Sequence, residues 1–309
     1  MNKYLLRTVL FLLPVFLTLG TMEYLLQKIP NNYSYKKNYM DKNAEEIQIL
    51  ILGSSQIFYG IDASCFSQNA FNLANPSETY YLSLELFKKY QKKLNHLNTI
   101  IISYSYHTLW SSRLAVENEI QRSKNYILYY RINITENINN YFELLNGKTI
   151  NNLRRLNKYY IKKKNDVTCT QLGLAWGLNR SNKDLVKTGK EAAIRHTRDN
   201  IHSKENIRIL EENIIILDTF AEICNKNDIK LILINTPKYN TYIENLNKEQ
   251  MEEAAKTVDL LIKKHKNIIY INWQEDKDFF AKDFYDADHL NSKGAEKLSK
   301  KLDSYISSL

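Results

Sequence analysis

Ile47-Gln48-Ile49-Leu50-Ile51-Leu52-Gly53-Ser54-Ser55-Gln56 is an aliphatic run cut off by a glycine and two serines. An Ile-rich apolar run of this length, bounded by polar residues, reads as a strand buried on both faces. Gly53 lets the chain turn sharply off the strand end. Ser54 and Ser55 then stand where an open α/β sheet builds its ligand crevice, at the carboxyl end of a strand. If a helix follows, their N–H groups also face anything negative in that crevice. A serine in this place is a helix cap or a nucleophile, and the decision needs a base from elsewhere in the chain.

Outward from this stretch the pattern repeats. Ala70–Ala74, Thr99–Ile102, Ile229–Ile234 and Asn267–Asn272 read as further strands, and Thr79–Leu94, Asn206–Asn225, Lys248–Lys264 and Ser292–Ile306 as amphipathic helices. Strand–helix alternation at this spacing predicts right-handed crossovers and a central parallel sheet of about five strands. Residues 108–205 interrupt the rhythm: they are rich in Asn, Lys, Tyr and Arg, and read as a helical insertion at the sheet's carboxyl edge, with helices over Ile120–Leu145 and Ile150–Lys164.

The 309 residues are 44% apolar and 25% charged, a globular composition. The net charge of +9 comes from scattered lysines, which suits a solvated surface or an anionic membrane. No nucleic-acid motif accompanies it, which sets nucleic acid aside. Cys65, Cys169 and Cys224 lack ligand spacing, as do His96, His196, His202 and His265, so neither a metal nor a cofactor is expected. At the N-terminus, Lys3 and Arg7 precede an apolar run from Thr8 to Met22, extended by Tyr24–Leu26. Residues 1–27 read as an uncleaved signal anchor crossing a membrane with the N-terminus cytoplasmic and the rest outside, in preference to a cleaved signal or a buried core helix. Residues 28–45 are polar and read as a tether, leaving 46–309 as the α/β domain.

The base lies in Phe284-Tyr285-Asp286-Ala287-Asp288-His289-Leu290-Asn291. An Asp three residues before a His can fold back to accept the ring Nδ1–H, which leaves Nε2 free to take a serine proton. Asp288 is a second candidate for that acid. The segment follows the last strand, so it reaches the sheet edge that carries Ser54 and Ser55. Tyr104, Tyr106, His107 and Trp110 read as structural residues at a strand end or in the insertion core.

Leu52-Gly53-Ser54-Ser55 near the start, with Asp286-x-x-His289-Leu-Asn before the last helix, resembles the SGNH (GDSL-like) hydrolase superfamily. Most members carry Asp after the glycine; Ser54 in that place resembles the membrane-anchored branch of DltD-like and polysaccharide O-acetylation proteins. The resemblance implies a three-layer flavodoxin-like fold, with Ser55 as nucleophile, His289 as base, Asp286 as orienting acid and the Ser55 N–H as an oxyanion donor. It implies an ester-bond activity on a cell-surface glycan or other acylated substrate, and a multispanning membrane acyltransferase as partner. Two blocks depart from the pattern. Asn72-Leu73-Ala74-Asn75 lacks the usual glycine, and Ser103-Tyr104-Ser105-Tyr106-His107 lacks the usual Asn, so the oxyanion hole is expected from Ala74, Asn75 or Ser105. These departures also leave room for a non-catalytic scaffold or glycan-binding protein.

Overall fold

The computed structural model describes residues 3–112, 120–134, 137–176, 178 and 184–309. In chain order the helices are α1 (Lys3–Gln27), α2 (Asn32–Asn43), α3 (Ser55–Phe58), α4 (Tyr80–Tyr90), α5 (Ile120–Leu128) and α6 (Thr149–Leu156). They continue with α7 (Leu185–His196), α8 (Lys204–Lys226), α9 (Asn240–Ile243), α10 (Lys248–Lys264) and α11 (Ser292–Ser307). Two compact units emerge: Met1–Lys37 with Val116–Val167, and Asn38–Ala115 with Thr168–Leu309.

The second unit holds a parallel sheet of β1 (Ile49–Leu52), β2 (Ala70–Asn72), β3 (Thr99–Ser103), β4 (Lys230–Asn235) and β5 (Ile268–Asn272). The strand order β2-β1-β3-β4-β5 is that of a flavodoxin-like doubly wound sheet. Every residue of β1 is fully buried, as an all-parallel sheet covered on both faces requires. The order reverses between β1 and β3, so the carboxyl end of β1 is the topological switch point where such sheets bind ligands. After β5 comes a short antiparallel hairpin, β6 (Phe284–Asp286) and β7 (His289–Leu290), too brief to leave a periodic signal in the sequence. Asn291 then caps α11, its Oδ1 accepting from the N–H groups of Lys293 and Gly294.

The first unit is built on α1, which is long and apolar enough to cross a membrane by length and composition. Residues 28–45, expected as a polar tether, instead carry α2, and Ile29, Met40 and Ala44 are buried. The polar residues hid these spaced apolar anchors. The helix expected over Ile120–Leu145 ends at Leu128 and gives way to short 3₁₀ turns at Ile138–Tyr141 and Leu144–Asn146. The one over Ile150–Lys164 is α6 followed by a π turn at Asn157–Ile161. Residues 113–119, 135–136, 177 and 179–183 of the insertion read over 108–205 lie outside the described residues.

Glu143 organises this unit. Its side chain is 1% exposed and accepts from Lys124 Nζ at 2.6 Å, Arg155 Nη1 at 2.9 Å and the Tyr129 hydroxyl. Burial pushes the Glu143 carboxyl up, but Lys124 and Arg155 outweigh it and hold the group below its ordinary value.

Candidate active site

The turn after β1 is forced by sequence. Gly53 has φ +132°, and a Cβ there would lie 2.7 Å from Ser103 Oγ, so a side chain is excluded twice over. The Gly53 N–H donates to Glu78 Oε1 at 3.1 Å and its carbonyl accepts from the Asn75 N–H. Glu78, buried, also accepts from Asn75 Nδ2 and Ser83 Oγ, and so ties the turn after β2 to the turn after β1. Ser54 then becomes the N-cap of α3 without a side-chain bond, and its Oγ has no hydrogen-bond partner among the described residues. Ser55 opens the helix at partial exposure.

The chain's far end meets it there. Ser55 Oγ lies 2.8 Å from His289 Nε2, across 234 residues of sequence. His289 Nδ1 lies 2.9 Å from Asp286 Oδ1, and the same oxygen accepts from the His289 backbone N–H at 2.9 Å. The hairpin makes this double contact possible by pairing Asp286 directly with His289. Asp288 stands as a second carboxylate, with Oδ1 3.5 Å from His289 Nδ1. Asp286 makes the closer contact and Asp288 is the more buried of the two, with 3% of its side chain exposed against 14%. Burial alone would lower the His289 pKa, but the hydrogen bonds and charges of Asp286 and Asp288 outweigh it and push it up to about 9.

Behind this triad lies a polar network that the sequence did not announce. Asp288 faces Arg195 at 3.6 Å and His196 at 4.0 Å, both on α7. Burial pushes Asp288 up, but His289, His196 and Arg195 hold it well below the usual carboxylate range. Burial pushes His196 down to about 3, against the pull of Asp288. His196 stacks on His107 with ring centroids 3.8 Å apart, and burial followed by the His196 charge keeps His107 well below its ordinary value. Lys238, fully buried after β4, donates to the Thr236 carbonyl and hydroxyl, and burial lowers it to about 7 despite Asp288 and Asp286. Helix α7 also fixes the hairpin mechanically. The Ala287 N–H donates to Thr188 Oγ1, and Ala287 packs in a buried cluster with Ala192, Ala193 and Tyr242.

The residues expected to build an oxyanion hole are all engaged elsewhere. The Ala74 N–H donates to Asn72 Oδ1 and the Asn75 N–H to the Gly53 carbonyl. Asn75 Nδ2 donates to the Leu73 carbonyl and Glu78, and Ser105 Oγ to Gln56 Oε1 at 2.6 Å. That last bond fixes the Gln56 amide, whose Nε2 is buried without an acceptor among the described residues. Gln56 follows Ser55 directly, and only its adjacency to the nucleophile candidate could have drawn attention to it. Donor atoms of Asp286, Asp288 and His289 lie within 4.8 Å of one another and could hold a cation. Since both ring nitrogens of His289 already face protein partners, a cation would have to displace a hydrogen bond.

No family model matches the chain, and no curated protein matches it. Among solved structures, the fold is similar to a protein from Streptococcus pneumonia provisionally named a platelet activating factor, at 12% identity and a TM-score of 0.43, covering 97% of this chain and 99% of that one. It is similar to a provisionally assigned acylhydrolase from Bacteroides fragilis, at 11% identity and a TM-score of 0.41, covering 87% and 94%. It is likewise similar to a GDSL-like lipase from Bacteroides thetaiotaomicron, at 12% identity and a TM-score of 0.41, covering 89% and 98%. At such distances the likeness is one of chain path, and function is read from the geometry of the site itself.

Proposed function

We propose that the protein is a membrane-tethered SGNH-like serine acyl-esterase or O-acyltransferase. The observation that carries this is the continuous chain Ser55 Oγ–His289 Nε2 at 2.8 Å and His289 Nδ1–Asp286 Oδ1 at 2.9 Å, partly open to solvent at the sheet's switch point. Ser55 Oγ attacks the acyl carbonyl carbon while His289 Nε2 takes its proton. The tetrahedral intermediate collapses as His289 returns that proton to the departing alkoxide, leaving the acyl group on Ser55. A water or acceptor hydroxyl then gives its proton to His289 and attacks the acyl carbon, and Ser55 is released with the proton restored. The first N–H groups of α3 have no intrahelical acceptor by position, so the Ser55 N–H is available to the developing oxyanion. Gln56 Nε2 is the side-chain donor proposed to join it.

An extracytoplasmic site accords with the apolar α1, whose first turns carry Lys3 and Arg7, while the cell-surface glycan substrate and the multispanning acyltransferase partner rest on the family resemblance alone. The test is labelling of the full chain with a fluorophosphonate probe. Labelling that disappears in Ser55→Ala is expected; a folded wild-type chain that never labels overturns the reading. Such a result would favour a second reading, a non-catalytic scaffold or glycan-binding protein on this fold. The internal engagement of Ala74, Asn75 and Ser105 is the observation on its side.

A further inference from the structure

The carboxyl-terminal turn of α1 is welded into the folded unit that follows it. Glu23 accepts from the backbone N–H groups of Glu143 and Leu144 at 2.8 and 2.9 Å, and the Tyr160 hydroxyl donates to the Leu25 carbonyl. Leu26 is fully buried, while α1 before Thr21 is exposed throughout. At 1.5 Å rise per residue the 25 residues of α1 reach about 37 Å, against a bilayer hydrocarbon thickness of about 30 Å. Glu23 directly follows the apolar run that ends at Met22. A helix that spans therefore places Glu23, and the loop hydrogen-bonded to it, at the boundary between acyl chains and headgroups.

That loop and the helix after it are apolar on their open side. Tyr141, Phe142 and Leu145 flank the Glu23 contact and are 38%, 38% and 60% exposed. On α6, which packs against α1, Ile150 and Leu153 sit three residues apart and are 53% and 47% exposed, while Asn152 is turned inward. Lys148, Arg154 and Lys158 are exposed among them, long cations suited to reach anionic headgroups while their stems stay in apolar surroundings. Aromatic and basic side chains at the end of a spanning helix form the composition of a membrane interface.

We infer that the surface carrying Tyr141, Phe142, Leu145, Ile150 and Leu153 seats in the headgroup region of an anionic bilayer, around the exit point of α1. This rests on the reading of α1 as a membrane anchor. The occupant is lipid because the patch is continuous with α1 through Glu23, and because cations accompany it. The seat holds the unit against the membrane at two places, the spanning helix and the adjoining face.

The experiment uses the full chain in nanodiscs of equal phosphatidylglycerol and phosphatidylcholine, on a Cys65→Ala background. Spin labels are placed singly at Leu145→Cys and Leu153→Cys, at Leu10→Cys within α1, and at Ile215→Cys, an exposed position on α8. Collision rates with oxygen and with a water-soluble nickel chelate are compared. Labels at 145 and 153 are expected to favour oxygen over nickel, as at 10, while 215 favours nickel. Nickel access at 145 and 153 equal to that at 215, with 10 still protected, overturns the seat and leaves the anchor standing. Nickel access at 10 as well removes the anchor and the seat together. Protection at 145 and 153 that appears only in native membranes, and not in nanodiscs, assigns the face to a protein partner and overturns the lipid proposal.

Discussion

Two regions of this molecule bury carboxylates among cations, and they do so to opposite ends. Around Glu143 every interaction closes: one carboxylate, two cations and a phenol, with the carboxylate 1% exposed. Around His289 the account stays open. Two carboxylates share one imidazole, Asp288 meets Arg195 and His196 only at 3.6 and 4.0 Å, and Ser55 and His289 keep contact with solvent. Gln56, next to Ser55 in sequence, has a buried amide nitrogen without an acceptor among the described residues. A structural ion cluster is complete when the chain has folded. A reactive site is complete only when something else arrives, and its unsatisfied groups mark where.

The contrast breaks most visibly at the triad. Ser55→Ala and His289→Ala should each lower kcat by about 10⁴-fold or more. The melting temperature of Ser55→Ala should move little, because Ser55 is partly solvent-exposed, whereas His289→Ala also removes a largely buried ring held by Asp286 and should lower it. Steady-state hydrolysis of an activated acyl ester beside a thermal melt reads both. Glu143→Leu should do the reverse. It strands Lys124 in a buried setting, leaves Arg155 with Asp166 alone, and should cost about 3–5 kcal/mol in chemical unfolding of the first unit. Fluorophosphonate labelling of Ser55, in the second unit, should persist. Loss of labelling together with the stability of the first unit would erase the distinction.

Finer changes sharpen it. Gln56→Met keeps the volume and removes the amide donor; kcat should fall by about 10²-fold with KM little changed, as for other single oxyanion donors. An unchanged kcat would return Gln56 to a packing role. Asp288→Asn should alter the rate at the pH optimum by about tenfold or less, and its chief effect should be on pH. With His289 pushed up to about 9, the ring is protonated at neutrality and kcat/KM should climb with pH toward that value. Removing the Asp288 charge should move the rise to lower pH, whereas Asp286→Asn, which loses the closer hydrogen bond, should lower the plateau itself. The same raised pKa gives His289 a stabilising contribution that is whole below its unfolded pKa of about 6.5 and is lost as pH rises through about 9.

The sequence carried the sheet and both ends of the Ser55–His289–Asp286 contact, for reasons that are local. β1, β3, β4 and β5 are continuous aliphatic runs stopped by polar residues, and Lys248–Lys264 has a clear apolar face. Asp286 and His289 are close in sequence, so a single turn brings them together. What escaped notice is non-local or too short to have a period. The β6–β7 hairpin pairs only a few residues. Helix α7 shows small residues, Gly189, Ala192 and Ala193, where an apolar stripe would have announced it; they are small because Tyr242, Thr241 and Ala287 lie against them. The network of Asp288, His196, His107 and Lys238 joins four separate segments, of which only that of Asp288 carries a motif. Glu78 carries no signal of its own in the sequence, and only the fold reveals it as the clamp between two turns.

The sequence separation of 234 from Ser55 to His289 also sets a timetable. Ser55, the proposed nucleophile, is made within the first fifth of the chain, and His289, its proposed base, arrives with the last few elements. A ribosome that has produced β1, β2 and β3 has made a serine with nothing to activate it. The site comes into being in one step, when the β6–β7 hairpin docks and α11 closes behind it. On the proposed function, a chain that ends before the hairpin has no base for Ser55 and is inert. Long sequence separation, a burden on folding speed, would under that function also be a safeguard on when acyl chemistry can begin.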